Sequence, residues 1–488
     1  MSKAINEVFR KIYEVCNHQI YSILLNFFKI NDPYRLIAIL IIGIGIKLPF
    51  IIGGCATLEM EKSLLIGEAV ASTSMYYGIL DNTAPLAAGV YWLIAFVAGK
   101  SPISLHILGT LLLILQAIIF NNLAIRNKVY EQNTYLPAFA YLIIGSIQYN
   151  LSSFSSAQMG MTFILLAFSQ LLSHVEFRAK REEQIMSIGL LTGIASLFYL
   201  PLIIFLPIIL IILLVFTNTL SRRYFILIIS AAMPQAVAFA YYWVLNGVPD
   251  YYIANFILPT LDFGFNAGAS IQQSYPVLLP ITILGLLGFA TMPKQRRLNN
   301  YQNRLAQLFF ATGLLILIIP LLTALDLQGA ILLYLPILAF FATHLFFLIR
   351  RPMADLVASV TFIGTSLFLA YQTEFHFMEW PKKIEERTKV NQGLLDLVKN
   401  KKIWVLGDEP ELYTHGKLGT TFYNWQLSKP YLENLDYYDN LVFIKKSVDR
   451  FKPEVILDYE FMWKKLVLHI PSLEEDYEQI RPFVYKRK

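Results

Sequence analysis

Charge and cysteine are both scarce in this chain. Asp, Glu, Lys and Arg make up 15% of its 488 residues, well short of the quarter typical of soluble domains. Such a chain cannot surround a single water-soluble core with enough polar surface. The two cysteines, Cys16 and Cys55, exclude a disulfide framework, and the topology derived below puts them on opposite sides of a membrane. The net charge of +6 is no nucleic-acid signal, because Lys and Arg sit in short loops between apolar runs and in the tail.

Familiar catalytic motifs are also missing. There is no HExxH, and the seven histidines show no metal-ligand spacing. His106, His174 and His344 fall in or near apolar runs and read as helix-packing or interfacial residues. Gly99-Lys100-Ser101 resembles the end of a phosphate loop, but Ile94 stands where that loop needs glycine. No cleavable signal peptide is expected. The first 34 residues are too polar, and the apolar run from Arg35 reads as an uncleaved anchor.

What is abundant is apolar sequence, 56% of the chain, with a mean hydropathy of +0.53. A membrane helix needs about 20 apolar residues. Runs of that kind lie near 35–54, 103–125, 134–150, 155–174, 186–200, 201–217, 224–246, 275–293, 305–324, 329–349 and 353–371. Whether 186–217 is one helix or two, broken at Pro201 and Pro207, is decided by charge. Cytoplasmic loops gather Lys and Arg. The basic loops are Arg126/Lys128, Arg178/Lys180/Arg181, Arg222/Arg223, Lys294/Arg296/Arg297/Arg304 and Arg350/Arg351; the alternate loops near Asn150, 247–274 and Asp326 have none. Two short helices put every basic loop on one side. The expectation is therefore a polytopic α-helical membrane protein of about 11 transmembrane helices, with the N-terminus in the cytoplasm.

Three domains follow. Residues 1–34 form a cytoplasmic amphipathic segment. Ile5, Phe9, Ile12, Cys16 and Ile20 recur at helical spacing, which suits either a helix on the membrane surface or one packed on the bundle. Residues 35–371 form the membrane domain. Its first outer loop, 55–102, contains Pro85–Ala98, apolar but too short to span and so read as a re-entrant or interfacial helix. Residues 372–488 form an extracytoplasmic soluble α/β domain. Within it, Lys402–Gly407 and Pro453–Asp458 predict buried strands of a partly parallel sheet. Glu379–Asn400, Phe461–His469 and Leu473–Ile480 predict helices, and Phe483–Tyr485 a last strand.

The richest polar cluster is in the first outer loop, where Glu59, Glu61, Lys62, Glu68, Tyr76, Tyr77, Asp81 and Asn82 precede Pro85. Carboxylates held between membrane segments can serve as a general base; the plain alternative is a solvated loop. Lys47 lies inside the first span, towards its outer end. It either meets an anionic partner or snorkels to the interface.

The order of these features resembles the membrane glycosyltransferases of the GT-C type, especially the protein O-mannosyltransferase and lipid A aminoarabinose transferase branch. The segments that carry the resemblance are Lys47-Leu48-Pro49, the acidic loop, and the stretch Gly67–Ser101 with its Asp81…Pro85 turn. Further matches are Gly189…Gly193, Leu332–Ala339, Trp404–Tyr413, Gly416–Phe422 and Pro453–Asp458. Here Glu59 and Glu61 are separated by Met60 where the family has adjacent acids. Ser152–Gln158 carries no acid where the family often has a second one. The family's late-span cation falls near Gly329 or Ala330, so Lys47 or Lys62 would substitute for it.

The resemblance implies a sugar donor on a polyprenyl phosphate, a lipid or protein acceptor at the outer face, and a single inverting displacement. Glu59, Glu61 and Asp81 become the catalytic candidates, and Lys47, Lys62, Tyr77 and Asn82 the substrate-binding ones. No clear metal-ligand set is visible, and the cofactor is unknown, a divalent metal staying open. Membrane lipids are expected partners and nucleic acid is not. The expected location is the plasma (inner) membrane, with the C-terminal domain periplasmic. Two alternatives remain: a catalytically silent scaffold of the same fold in envelope assembly, and a transporter of lipid-linked sugars.

Overall fold

The computed structural model describes residues 27–52, 58–72, 75–76, 78–99, 101–147, 153–177, 182–217, 220–246, 252–258, 283, 285–290, 298–322, 327–349, 352–375, 392–409 and 412–488. The chain is mostly helical, with a small C-terminal sheet. The helices of the apolar part are α1 (Tyr34–Ile52), α2 (Leu58–Ser72), α3 (Pro85–Ala98), α4 (Pro102–Arg126), α5 (Leu136–Gly145) and α6 (Ser156–Phe177). They continue as α7 (Glu182–Phe198), α8 (Phe205–Phe216), α9 (Ser221–Asn246), α10 (Asn300–Leu322), α11 (Leu327–Leu348) and α12 (Pro352–Phe375). Among the described residues, five helices are long and apolar enough to cross a membrane: Tyr34–Ile52, Pro102–Arg126, Ser156–Val175, Ser221–Leu245 and Met353–Tyr371. The chain is a membrane-embedded protein on this evidence. Of the remaining expected spans, 275–293 lies mostly outside the described residues, as does the segment 1–26.

Of the expected span 134–150, Leu136–Gly145 forms α5, 10 residues long and about 15 Å at 1.5 Å per residue, while 148–150 lies outside the described residues. All ten residues are buried, α5 packs against α4 and α11, and the Ser146 hydroxyl donates to the Leu142 carbonyl at 2.8 Å. Helices α4 and α6 run parallel: Ser173 donates to Asn127 at 2.7 Å near their ends, and Gln158 donates to the Gly109 carbonyl at 3.1 Å nearer their starts. The stretch that holds α5 therefore returns the chain between them.

The run 182–217 divides as the charge pattern requires. Helix α7 ends at Phe198, and a tight 3-10 turn at Leu200–Ile204 leads into α8. Pro201 lies in the first turn of that segment, where its missing N–H costs nothing. Helices α7 and α9 then run parallel. Arg222 pairs with Glu182 at 3.2 Å at their starting ends, and Gln235 donates to Ser196 at 2.8 Å near the far end of α7. Helix α8 therefore returns the chain between them. The contact is close because Gly189 and Gly193 face α9; a methyl group at either would strike the Leu227 or Ala231 carbonyl. Small residues that let backbones touch are the usual device for packing helices in lipid.

Helices α2 and α3 form a second close pair. Gly67 of α2 touches the Tyr91 backbone of α3, and Pro85 opens α3 at its first turn. The expected helix Pro85–Ala98 is thus present with those bounds.

The C-terminal sheet contains β1 (Lys402–Leu406), β2 (Lys417–Leu418), β3 (Val455–Asp458), β4 (Tyr477–Arg481) and β5 (Val484–Arg487). Its order is β2-β1-β3-β5-β4. Strands β2, β1 and β3 are parallel, and β5 and β4 antiparallel. Side chains alternate between faces. Ile403, Val405, Val455 and Leu457 join a cluster with residues of α2 and α3, while Trp404, Leu406 and Ile456 face the domain's own helices. The elements covering the sheet are α13 (Gln392–Val398), α14 (Leu412–His415), α15 (Trp425–Glu433), α16 (Tyr438–Phe451), α17 (Trp463–His469) and α18 (Ser472–Asp476).

The expected helix over Leu473–Ile480 is corrected: it stops at Asp476, and Tyr477 starts β4. Tyr477 is buried and its hydroxyl donates to the Pro453 carbonyl at 2.9 Å, which ties the segment into the sheet. Of the helix expected over Glu379–Asn400, Gln392–Val398 is observed and 376–391 lies outside the described residues.

Candidate functional site

Helix α2 presents Glu59, Lys62, Ser63 and Ile66 on one face, as the i, i+3, i+4, i+7 spacing demands. That face walls a cavity of about 280 Å³. The opposite walls are Asn82, Thr83 and Ala84 from the following segment, Tyr91 from α3, Ser156 from the start of α6, Tyr199, Leu200 and Pro201 from the break after α7, and Phe256. The α7 break thus does two things: it reverses the chain and it brings Tyr199 and the start of the 3-10 turn to face polar side chains. The cavity and the Arg222–Glu182 pair lie at opposite ends of α7.

The candidates separate by geometry. Glu59, Lys62 and Asn82 line the cavity together. Asp81 stands behind the wall with a fully buried side chain, and Lys62 Nζ lies 3.1 Å from its Oδ1, at ion-pair distance but off hydrogen-bond geometry. Its Oδ2 accepts the Thr83 amide at 2.9 Å and also the Thr83 hydroxyl. Asp81 is thereby a strut that ties Lys62 to the 81–83 turn. Glu61 points off the cavity-lining face of α2. Lys47 is 2% exposed and packs over the Phe50 ring at 5.2 Å, so it neither snorkels nor joins the cavity wall. Tyr77 lies outside the described residues.

The same segment reaches into the C-terminal domain. Leu80 donates its amide to the Thr421 carbonyl at 2.9 Å and accepts from the Asn424 amide at 3.3 Å. Its side chain is fully buried among Trp404, Phe422 and the rest of that domain's inner cluster. Next to it, burial pushes the Tyr423 hydroxyl well above its ordinary pKa, and the Asp81 charge pushes it further. A short strip of chain therefore joins the cavity wall to the terminal sheet, in addition to the sheet face that packs with α2 and α3.

Tyr76 was not among the candidates, yet it holds this strip in place. It sits in the left-handed region at φ 67, and its hydroxyl donates to the Thr83 carbonyl at 2.6 Å. Its ring packs against Tyr242 and Tyr252, with centroids 5.0 and 5.5 Å away. The Tyr252 hydroxyl donates to Gln235 at 2.9 Å, which reaches Ser196 on α7. The readable signal is that each of these tyrosines belongs to a Tyr-Tyr doublet, 76–77, 241–242 or 251–252.

Chemically, the cavity offers one carboxylate, one ammonium, several hydroxyls and an apolar rim. Among the described residues, no group of three His, Cys, Asp or Glu could hold a metal ion. No protein-family model matches the chain, and no curated protein matches it in sequence. Among solved structures, a similar one is the oligosaccharyltransferase of Archaeoglobus fulgidus in its apo form. It has a TM-score of 0.49 and 10% sequence identity over 87% of this chain and 69% of that one. Similarity at that level assigns neither family nor activity.

Proposed function

We propose that the protein is a membrane glycosyltransferase that moves a sugar from a polyprenyl-phosphate donor to a lipid or protein hydroxyl at the outer face of the plasma membrane. The observation that carries the reading is the pairing of Glu59 with Lys62 on one face of α2, inside a cavity with both polar and apolar walls. An amphiphile with an anionic head matches such a lining.

In this reading Glu59 is the general base. The acceptor oxygen attacks the anomeric carbon as its proton passes to Glu59. The bond from that carbon to the phosphate oxygen breaks, and the electron pair leaves with the polyprenyl phosphate. Lys62, held by Asp81, stabilises the growing phosphate charge. Asn82 and the Thr83 hydroxyl are placed to bind sugar hydroxyls, and Phe256, Leu200 and Pro201 to meet the first prenyl units.

The test is transfer from a radiolabelled polyprenyl-phosphate monosaccharide by the full chain in nanodiscs, with membrane extract as acceptor. Glu59→Gln is expected to lower the rate at least about a hundredfold, the usual contribution of a general base, with Glu61→Gln close to wild type. Wild-type activity that survives both changes would remove Glu59 from the mechanism. A properly folded wild type with no transfer from any such donor would favour the silent-scaffold alternative.

A further inference from the structure

The parallel strands β2, β1 and β3 end on one side of the C-terminal sheet. At the β2 end of that side, residues Thr421–Asn424 hold Leu80, the strip of chain that precedes the interfacial helix α3. The same side continues across β1 and β3. Tyr459 and Glu460 donate their amides to the Leu406 carbonyl at 2.9 and 3.2 Å, and Asp458 donates to the Phe483 carbonyl at 2.9 Å. Phe461 and Phe483 thus stand at the strand ends on the side of the sheet that also holds Leu80.

Both are unusual in the same way. Phe461 is 67% and Phe483 46% exposed, and their rings meet edge to face at 5.0 Å. Both have left-handed backbones, φ 58 and φ 66, a region that bulky side chains avoid. Strain of this kind persists only where the surroundings impose it, and here it holds two phenyl rings in solvent. Arg481 beside Phe483, and Lys464 and Lys465 after Phe461, are exposed. The exposed carboxylates on this edge are Asp408 and Glu460. Aromatic rings flanked by cations form the usual contact with the head-group layer of a bilayer.

We propose that Phe461 and Phe483 insert into the outer leaflet of the surrounding bilayer and dock the C-terminal domain on the lipid surface beside the cavity. This adds a lipid contact to the domain's protein contacts, the Leu80 strip and the sheet face against α2 and α3.

The experiment uses the full chain with Cys16 and Cys55 replaced by serine, in nanodiscs of phosphatidylethanolamine and phosphatidylglycerol. A nitroxide is attached through Phe461→Cys or Phe483→Cys, and through Lys446→Cys on exposed α16 as reference. Power saturation compares collision with oxygen, which concentrates in lipid, and with a water-soluble nickel chelate. Labels at 461 and 483 are expected to favour oxygen several-fold and the label at 446 to favour nickel. Nickel preference at all three positions overturns the proposal, as does shielding of 461 and 483 by maltoheptaose, which would make the edge a sugar-binding surface. Phe461→Gly and Phe483→Gly provide an independent check. Relief of the strained backbone should keep or raise the thermal midpoint while domain contact with lipid is lost; a lowered midpoint would make the pair a structural brace and overturn the proposal.

Discussion

Helix α2 and the segment Ile79–Ala84 build neighbouring walls of one cavity and use charge in opposite ways. Helix α2 turns Glu59 and Lys62 towards the space, on a face set by helical periodicity. The following segment turns Asp81 away from it and satisfies the carboxylate with Thr83 and Lys62. Two acids only 22 positions apart in sequence thus have different chemistry, and the difference lies in which one has protein donors around it. A buried carboxylate turned from the cavity onto an amide, a hydroxyl and an ammonium is poorly placed to touch substrate.

The sharpest break of this comparison is a pair of substitutions read two ways. Glu59→Gln should lose at least about a hundredfold in transfer rate with an unchanged thermal midpoint. Asp81→Ala should lose stability, by about 3 kcal/mol from a buried charge partner and its hydrogen bonds, visible as a lower midpoint in differential scanning fluorimetry. If the two phenotypes are exchanged, the roles assigned to base and strut are wrong.

Leu80→Ala comes next. It removes a fully buried side chain at about 2 to 3 kcal/mol, and the expected readout is faster proteolysis of the C-terminal domain in the intact protein. An unchanged cleavage rate would mean that the strip is not the attachment point. Gly193→Ala tests the opposite end of the construction, the α7–α9 contact beneath the cavity. Overpacking there should cost about 1 to 3 kcal/mol, measured as loss of folded protein in mild detergent.

The smallest effect is a pH dependence. Burial raises the Asp458 carboxyl above its ordinary range, although the amides of Trp463, Met462 and Phe461 oppose the shift. A raised native value means that the folded state holds the proton more tightly than the unfolded state. Its stabilising contribution is then full below the ordinary carboxylate range and is lost as pH rises through the raised value. Asp458→Asn should flatten that part of the stability curve in chemical denaturation, leaving the rest unchanged.

Much of this architecture is legible in the residues. Helix α3 shows in its opening Pro85 and apolar run, and β1 and β3 show as short β-branched and apolar stretches. The division of 186–217 follows from the alternation of basic and uncharged loops along the chain. Helix α5 is legible as an apolar run, but its enclosure by α4 and α11 is not, because apolar residues look alike whether lipid or protein surrounds them. Strand β4 was misread because Leu473, Tyr477 and Ile480 fit both helical spacing and the edge of a sheet. Helices α15 and α16 were missed in a stretch assigned no element, although Asn424 caps α15 through the Gln426 and Leu427 amides and Ile444, Val448 and Phe451 mark the buried stripe of α16. At the site, helical spacing alone groups Glu59 with Lys62. Asp81 is buried beside Tyr423, which lies near it only in the folded chain.

Leu80 has a practical consequence for anyone who would study the terminal sheet alone. A fragment starting at Gln392 would carry a socket, bordered by Trp404 and Phe422, for a side chain it does not own. Expressed by itself it should be sticky, and a short peptide covering Ile79–Ala84 should serve as its plug.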